Sequence, residues 1–407
     1  MRRPLRDLAD VHYGKSPNEV VHEDGSVPVV GTGGVYGRAV RPLFQGPAIV
    51  VPRKGSLGNP QYMSGPFWAV DTTYAVLPKK GVQARWLHYN LDLFDLTKLN
   101  EATGVPSISR DWLYKIEFED PGEASQQRIA EILSTVDEAI EQTEALIAKT
   151  QQIRAGLMHD LFTRGVTADG QLRPPREKAP QLYKESPLGW IPMEWEIELV
   201  DNFCAQVVDC PHSTPVYVER GVPCIRTADM LPGQLLLDHA YRVTDQTYFE
   251  RVARLVPRKG DIIYSREGER LGIASPVGDE LVCLGQRVML LRPSQDTDPA
   301  FMLWAMNTEW FYRRVVSGLG ATTSPHVNVG DIRSQILVRP WKDEQERIGA
   351  NLSAVQEKLE GDRADAKKLL AVKHGLMRDL LAGSVQVTAS SADGGHGMQS
   401  NTTVGEA

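Results

Sequence analysis

Apolar side chains return along residues 126–166 in alternating steps of four and three: Ile129, Leu133, Val136, Ile140, Thr143, Ile147, Thr150, Arg154, Leu157 and Leu161. This is the rhythm of a coiled-coil seam and predicts one long helix. It comes back over 345–385 in Ile348, Leu352, Val355, Leu359, Ala366, Leu369, Leu376 and Leu380. Thr143 and Arg154 weaken the first stripe; Asp362 and Lys373 interrupt the second. Pro121, Pro340 and the capping-box spacing of Asp343 and Glu346 mark helix starts, and Gly165 and Gly383 mark ends. At ~1.5 Å per residue, about 38 residues make a helix about 57 Å long. So narrow a stripe does not bury itself alone. Its expected partner is the other copy, packed antiparallel as a stiff spacer; the alternative is that each helix lies on its own domain.

The two stretches are copies. A gapless shift of 219 positions carries Gln126 onto Gln345, and with it Arg128 onto Arg347, Glu138 onto Glu357, Lys149 onto Lys368 and Asp160 onto Asp379. Gly156-Leu-Met falls on Gly375-Leu-Met in the same frame. The chain is two half-proteins in tandem.

Each helix follows a block with a different rhythm. In residues 1–122, Val27-Pro-Val-Val-Gly, Ala48-Ile-Val-Val, Tyr74-Ala-Val-Leu and Ile116-Glu-Phe read as strands. Gly31 to Gly37 reads as a tight turn, and Trp86 to Leu99 as a short helix. Residues 123–166 are the first long helix, and the proline-rich 167–189 a linker. In residues 190–342, Cys224-Ile-Arg, Asp261-Ile-Ile-Tyr, Val288-Met-Leu-Leu and Ile336-Leu-Val read as strands, and Phe301 to Ser317 as one helix with Trp304, Trp310 and Phe311 in the core. The second long helix takes 343–385, and the Gly/Ser/Thr-rich 386–407 reads as a disordered tail. Val51-Pro-Arg-Lys-Gly recurs as Val256-Pro-Arg-Lys-Gly, so the blocks read as related but diverged.

Composition narrows the classes. With 42% hydrophobic and 24% charged residues in 407, the chain has room for two or three soluble domains. No apolar run approaches the ~20 residues of a membrane span, and the start lacks a signal-peptide core. Four cysteines without a CxxC pair fit reduced thiols in the cytoplasm better than a metal site. The net charge of −7 argues against coating nucleic acid through bulk charge, but not against a local basic reader.

The order of the parts (block, helix, linker, block, helix) resembles the specificity subunit of type I restriction–modification systems. The likeness is carried by Phe67-Trp-Ala-Val-Asp-Thr-Thr-Tyr, Leu188-Gly-Trp-Ile-Pro with Trp195, Gly221-Val-Pro-Cys-Ile-Arg-Thr, the two Gln-x-Arg-Ile starts and the two Gly-Leu-Met-x-Asp-Leu ends. It implies an α+β chain: two mixed α/β target-recognition domains separated by two long helices forming an antiparallel coiled coil. Each domain would read half of a split site in double-stranded DNA. The helices would dock methyltransferase (modification) subunits, and restriction/translocase subunits would join them. The chain itself would be non-catalytic, binding no cofactor, with S-adenosylmethionine, ATP and Mg on the partners. Two readers on a stiff rod suit one duplex face about a turn, roughly 34 Å, apart.

The residues offer candidates for these roles, each beside a plainer one. Arg53-Lys54 and Arg258-Lys259, taken as matching positions, read as DNA-contacting turns or as solvated hairpins. Arg226 and Thr227, Ser265 and Arg266 are further candidate contacts at strand ends. Thr103 and the pair Thr322 and Thr323 lie on matched small-residue loops, to touch DNA or to cap the next segment. On the helices, Arg128, Glu138, Lys149, Asp160, Arg347, Glu357, Lys368 and Asp379 are candidate docking residues or a solvated charged face. Asn59-Pro-Gln-Tyr approaches a methyltransferase tetrapeptide, but no glycine-rich cofactor turn precedes it. Asp261 and Glu267 lack the lysine a nuclease site would need. A coiled-coil adaptor with two protein-binding domains remains the rival reading.

Overall fold

The computed structural model describes residues 1–317, 325–385 and 387. The expected disordered tail therefore falls, except for Val387, outside the described residues. Both long helices are present, Glu123–Thr163 and Lys342–Leu381, of 41 and 40 residues. Every seam position named above is buried or half-buried, whereas Leu146, Ile153, Leu370 and Val372, off the seam, are exposed. The second helix begins at Lys342, one residue ahead of the Asp343 start.

The chain divides into two compact units, residues 1–144 with 365–407 and residues 145–364, so each takes half of each long helix. In the first, Asp137 pairs with Lys373 at 2.8 Å and Ser125 Oγ donates to the Val387 carbonyl at 3.4 Å. In the second, Arg154 Nη1 donates to Gln356 Oε1 at 2.5 Å and the Val166 N–H to Glu344 Oε1 at 2.8 Å. Within each unit numbers rise along one helix as they fall along the other, so the halves run antiparallel. The alternative arrangement is partly realised too, because each pair of halves is also the floor of its head. Ile129, Leu133, Met377 and Leu380 join the core containing Trp86 and Tyr74. Leu161, Phe162, Ile348 and Leu352 join the one containing Trp195, Trp304 and Phe311.

The heads share one topology. In the first, β1 (Arg2–Pro4) pairs with β9 (Glu117–Glu119). Strands β2 (Ala9–Tyr13), β8 (Thr73–Pro78), β5 (Ala48–Pro52) and β6 (Gln61–Met63) form an antiparallel sheet in that order. A smaller sheet runs β4 (Gly34–Ala39), β3 (Val27–Gly31), β7 (Trp68–Ala69), with β3 and β7 parallel. The second head repeats this with β10 (Glu196–Leu199) on β18 (Ile336–Arg339). Its larger sheet runs β11 (Cys204–Asp209), β17 (Val288–Pro293), β14 (Ile262–Ser265), β15 (Ala274–Pro276). The smaller runs β13 (Arg242–Val243), β12 (Val222–Ile225), β16 (Cys283–Leu284), with β12 and β16 parallel.

Buried glutamines tie each head to its helix. Gln126, 1% exposed, accepts from the Gln83 N–H at 2.8 Å and donates to Asp120 Oδ1 at 2.7 Å. Gln345, also 1% exposed, accepts from the Asp298 N–H at 3.0 Å and donates to the Pro340 carbonyl at 3.0 Å. Gln83 and Asp298 each cap the helix that covers the larger sheet. Cutting either side chain back strands a buried backbone donor, at a cost of about 1–3 kcal/mol. Gln126→Ala and Gln345→Ala are each expected to lower the unfolding free energy by that amount, seen as a lower denaturant midpoint at an unchanged slope.

Several elements differ from the sequence reading. Gly31 to Gly37 is not a free turn but the β3–β4 hairpin, whose chain reverses at Thr32-Gly33. The helix expected over Phe301 to Ser317 breaks into Pro299–Met306 and Glu309–Ser317, where Asn307 turns its amide to the Leu303 and Ala274 carbonyls. The linker is docked rather than loose. Val166 bridges Leu172, Tyr183–Ser186 pairs with Gly189–Pro192, and buried Arg173 reaches Glu344. Trp304 and Phe311 are core, as expected, and Trp310 is packed against it. All four cysteines are free thiols.

Candidate nucleic-acid interface and docking faces

Where β5 ends, the chain turns at Arg53-Lys54-Gly55 and meets the segment before the short helix Arg110–Tyr114. The Gly55 N–H donates to the Pro106 carbonyl at 2.9 Å, the Ile108 N–H donates to the Arg53 carbonyl at 2.9 Å, and Lys54 bridges Ser107. The same corner follows β14. Gly268 donates to Pro325 at 3.2 Å, Val327 to Arg266 at 3.0 Å, and Glu267 bridges His326. Arg53 is thus the counterpart of Arg266, and Lys54 of Glu267. Arg258 and Lys259 precede β14 and lie at its other end, so the expected match between the two Pro-Arg-Lys-Gly turns fails. Five shared letters do not say which end of a strand they occupy.

The two corners carry different chemistry. In the first head Tyr13, at the end of β2, is 46% exposed. The Arg53 and Arg110 guanidinium carbons lie 5.0 and 5.1 Å from its ring centre, within cation–π range. In the second head the strand position of Tyr13 is taken by Asp209, opposite Met289 as Tyr13 is opposite Tyr74. Asp209 binds Arg266 Nη2 at 2.6 Å, and Arg266 Nη1 donates to the Val327 carbonyl at 3.0 Å. Glu267 is held by His326 at 2.7 Å and Arg287 at 3.2 Å.

The remaining candidates divide by accessibility. Lys54, Thr103 and Arg258 are exposed. Lys259 is exposed but pairs with Asp279 at 2.8 Å, a surface bridge of little energetic weight. Arg226 is spent on buried Asp229, with bonds of 3.0 and 2.9 Å, and lies 3.6 Å from the ring centre of half-exposed Tyr241. The hydrogen bond it donates to Asp229 is the main reason its pKa is raised. Thr227 is half-buried in the turn that follows. Ser265 and Arg266 need correcting as surface contacts. They are 0% and 2% exposed, and the Ser265 hydroxyl is used by the Arg270 carbonyl and the Ile273 N–H. Thr322 and Thr323 lie outside the described residues. Sequence reasoning missed Tyr13 and Arg110, because only the fold brings them to Arg53.

On the helices Arg128, Glu138, Lys149, Glu357, Lys368 and Asp379 are exposed, and Asp160 and Arg347 half-buried. Arg128 pairs with Glu131, Asp160 with Arg164 and Lys368 with Asp365, all within a helical turn. A sharper pattern appears around them. Lys149, Ile153, Gly156 and Asp160 stand at steps of four, three and four, on one face. Lys368, Val372, Gly375 and Asp379 repeat it in the other copy. Ile153 and Val372 are 52% and 49% exposed. A Cβ at Gly156 or Gly375 would have nothing within 4 Å. A glycine inside a helix costs about 1 kcal/mol relative to alanine. Among the described residues nothing is packed closely enough to require it at either place.

No cluster of metal-ligating side chains occurs among the described residues. Among the described residues no helix is long and apolar enough to cross a membrane.

Comparison with known proteins agrees with this architecture. Residues 1–152 match the type I restriction modification DNA specificity domain. The type I restriction enzyme MjaVIII specificity subunit of Methanocaldococcus jannaschii is 24% identical over 314 residues, covering 74% of this chain and 70% of that one. The MjaIX specificity subunit of the same organism is 18% identical over 416 residues, covering 95% and 93%. Among solved structures, the S subunit of the type I restriction-modification system from M. genitalium aligns with a TM-score of 0.64 at 16% identity, over 95% of this chain and 96% of that one. The chain thus resembles type I specificity subunits in sequence and in fold.

Proposed function

We propose that this chain is the sequence-reading, non-catalytic subunit of a type I restriction–modification complex. Each head reads one half of a split, asymmetric site in double-stranded DNA. The reading rests above all on one observation: a single strand order is built twice, and the equivalent corners carry unlike side chains (Tyr13, Arg53 and Lys54 against Asp209, Arg266 and Glu267). Two copies that kept their scaffold, one corner left open and basic and the other closed by a carboxylate, present unlike surfaces, which suits the reading of two different sequences. The Lys-Ile/Val-Gly-Asp faces are docking sites for modification subunits, with each bare glycine admitting a partner backbone at close range. S-adenosylmethionine, ATP and magnesium belong to the partners, which methylate adenine and cleave unmodified DNA.

Phosphate contacts release counterions, so binding of the assembled complex to a duplex should weaken steeply with salt, by about 0.9 in log affinity per log salt for each phosphate. Deleting the gene should erase one split motif from the genome-wide methylation map. A flat salt dependence together with an unchanged map would reject DNA reading and favour the adaptor, two protein-binding heads on a coiled coil.

A further inference from the structure

The geometry points to the Tyr13–Arg53–Arg110 corner as a DNA contact of the first head alone, its counterpart in the second head having become structural. This rests on the DNA-reading function proposed above and names where one half-site is held.

The argument is one of uncompensated charge. Two guanidinium groups lie about the same distance from one half-exposed ring, and among the described residues neither is in an ion pair. Arg53 Nη1 donates only to the Asp71 carbonyl, at 3.1 Å. Arg110 Nε is buried and has no partner, as is true of Arg266 Nε in the second head, so the two corners differ in the ion pair and not in this donor. Like charges so placed repel, and an unpaired buried donor costs stability. The repulsion is relieved by an acceptor-rich anion beside the two guanidinium groups. Lys54, next in the chain and exposed, adds a further positive charge. The second head shows what a purely structural solution looks like. There Asp209 neutralises the arginine at 2.6 Å, the arginine is 2% exposed, and the neighbouring residue is Glu267. The first head has kept the arginine and left out the carboxylate.

Nucleic acid offers two acceptors of the required kind, phosphate oxygens and the O6/N7 edge of guanine. The test uses the assembled complex of the full chain and a fluorescent pool of randomised duplexes, with sequencing of the bound fraction and anisotropy across a KCl series. The unaltered complex should yield a two-part motif. Arg53→Gln should weaken binding about tenfold or more with an unchanged melting temperature. If the acceptor is phosphate, the loss is uniform across sequences and the salt slope falls by about one. If it is guanine, one position of one half-motif loses its preference, and Arg53→Lys, which keeps the charge but not the fork, fails to restore it. Either result supports the corner. Arg266→Gln should instead lower the melting temperature. If Arg53→Gln and Arg110→Gln both keep the affinity, the salt slope and both half-motifs of the unaltered complex, the assignment is overturned while DNA reading stands. If the unaltered complex selects no motif and shows no salt slope, the function itself fails first.

Discussion

Glu344→Ala is expected to cost about 3–5 kcal/mol of stability, the largest single-residue loss in the second unit. The carboxylate is 3% exposed in the first turn of the second long helix, where the helix dipole favours negative charge. Its Oε1 accepts from Arg173 Nη1 at 2.5 Å and from the Val166 N–H at 2.8 Å. Its Oε2 accepts from Arg173 Nη2 and from Trp195 Nε1, both at 3.0 Å. One side chain thus clasps the end of the first helix, the linker and the core tryptophan. Burial works hardest against the Arg173 charge, yet the hydrogen bond and charge of Glu344 outweigh it, and the arginine's pKa is raised. Removing the carboxylate leaves a guanidinium 8% exposed with no close counter-charge but Glu194 at 3.8 Å. Glu344→Gln keeps the shape and some of the bonds and should cost less. Chemical denaturation of the three chains checks the order; equal midpoints for Glu344→Ala and the unaltered chain would refute the clasp. Gly165, whose added Cβ would lie 2.5 Å from both Arg173 Nη1 and Trp195, sits at the same junction with φ +68°. A side chain there should fail for steric as well as backbone reasons.

The second large effect concerns assembly. A chain with Ile153→Arg and Val372→Arg is expected to keep its melting temperature, because both side chains are already half in water. It should nevertheless lose the modification subunit. Two central anchors worth about 2 kcal/mol each amount to roughly a thousandfold in affinity. The glycines give a sharper signature. Gly156→Ala and Gly375→Ala should each stabilise the free chain by about 0.5–1 kcal/mol, since the helix gains and nothing is struck. The same changes should weaken assembly by holding a partner backbone away. Melting curves of the free chain, paired with titrations against the modification subunit, read both signs. Unchanged affinity in all three variants would show that this face does not dock the modification subunit.

Much of the fold could be read from letters because it depends on local periodicity. The four-three rhythm marks both helices to within a few residues, and the 219-residue shift shows a duplication without any coordinate. Hydrophobic runs between glycines and prolines located β3, β5, β8, β14 and β17, since each is a buried strand with its own local signal. The shared apolar stripe also pointed to antiparallel pairing, because neither helix buries it alone.

The site was harder, for a physical reason. Such a corner is an accident of where strand ends meet, and residues such as Tyr13, Arg53 and Arg110 come from three separate stretches. No periodicity links them. The repeated Pro-Arg-Lys-Gly misled because a turn sequence looks the same entering a strand or leaving it. Ser265 and Arg266 looked like surface groups because polarity in a sequence says nothing of burial. An arginine can be enclosed wherever the fold supplies a carboxylate, as Asp209 does for Arg266. Duplication, helix length and the seam were thus determined by the sequence alone, through the spacing of apolar side chains. Which charges are paired, which are left open, and which glycines have empty space above them were decided only when the chain folded, because those properties belong to distances between residues far apart in the chain.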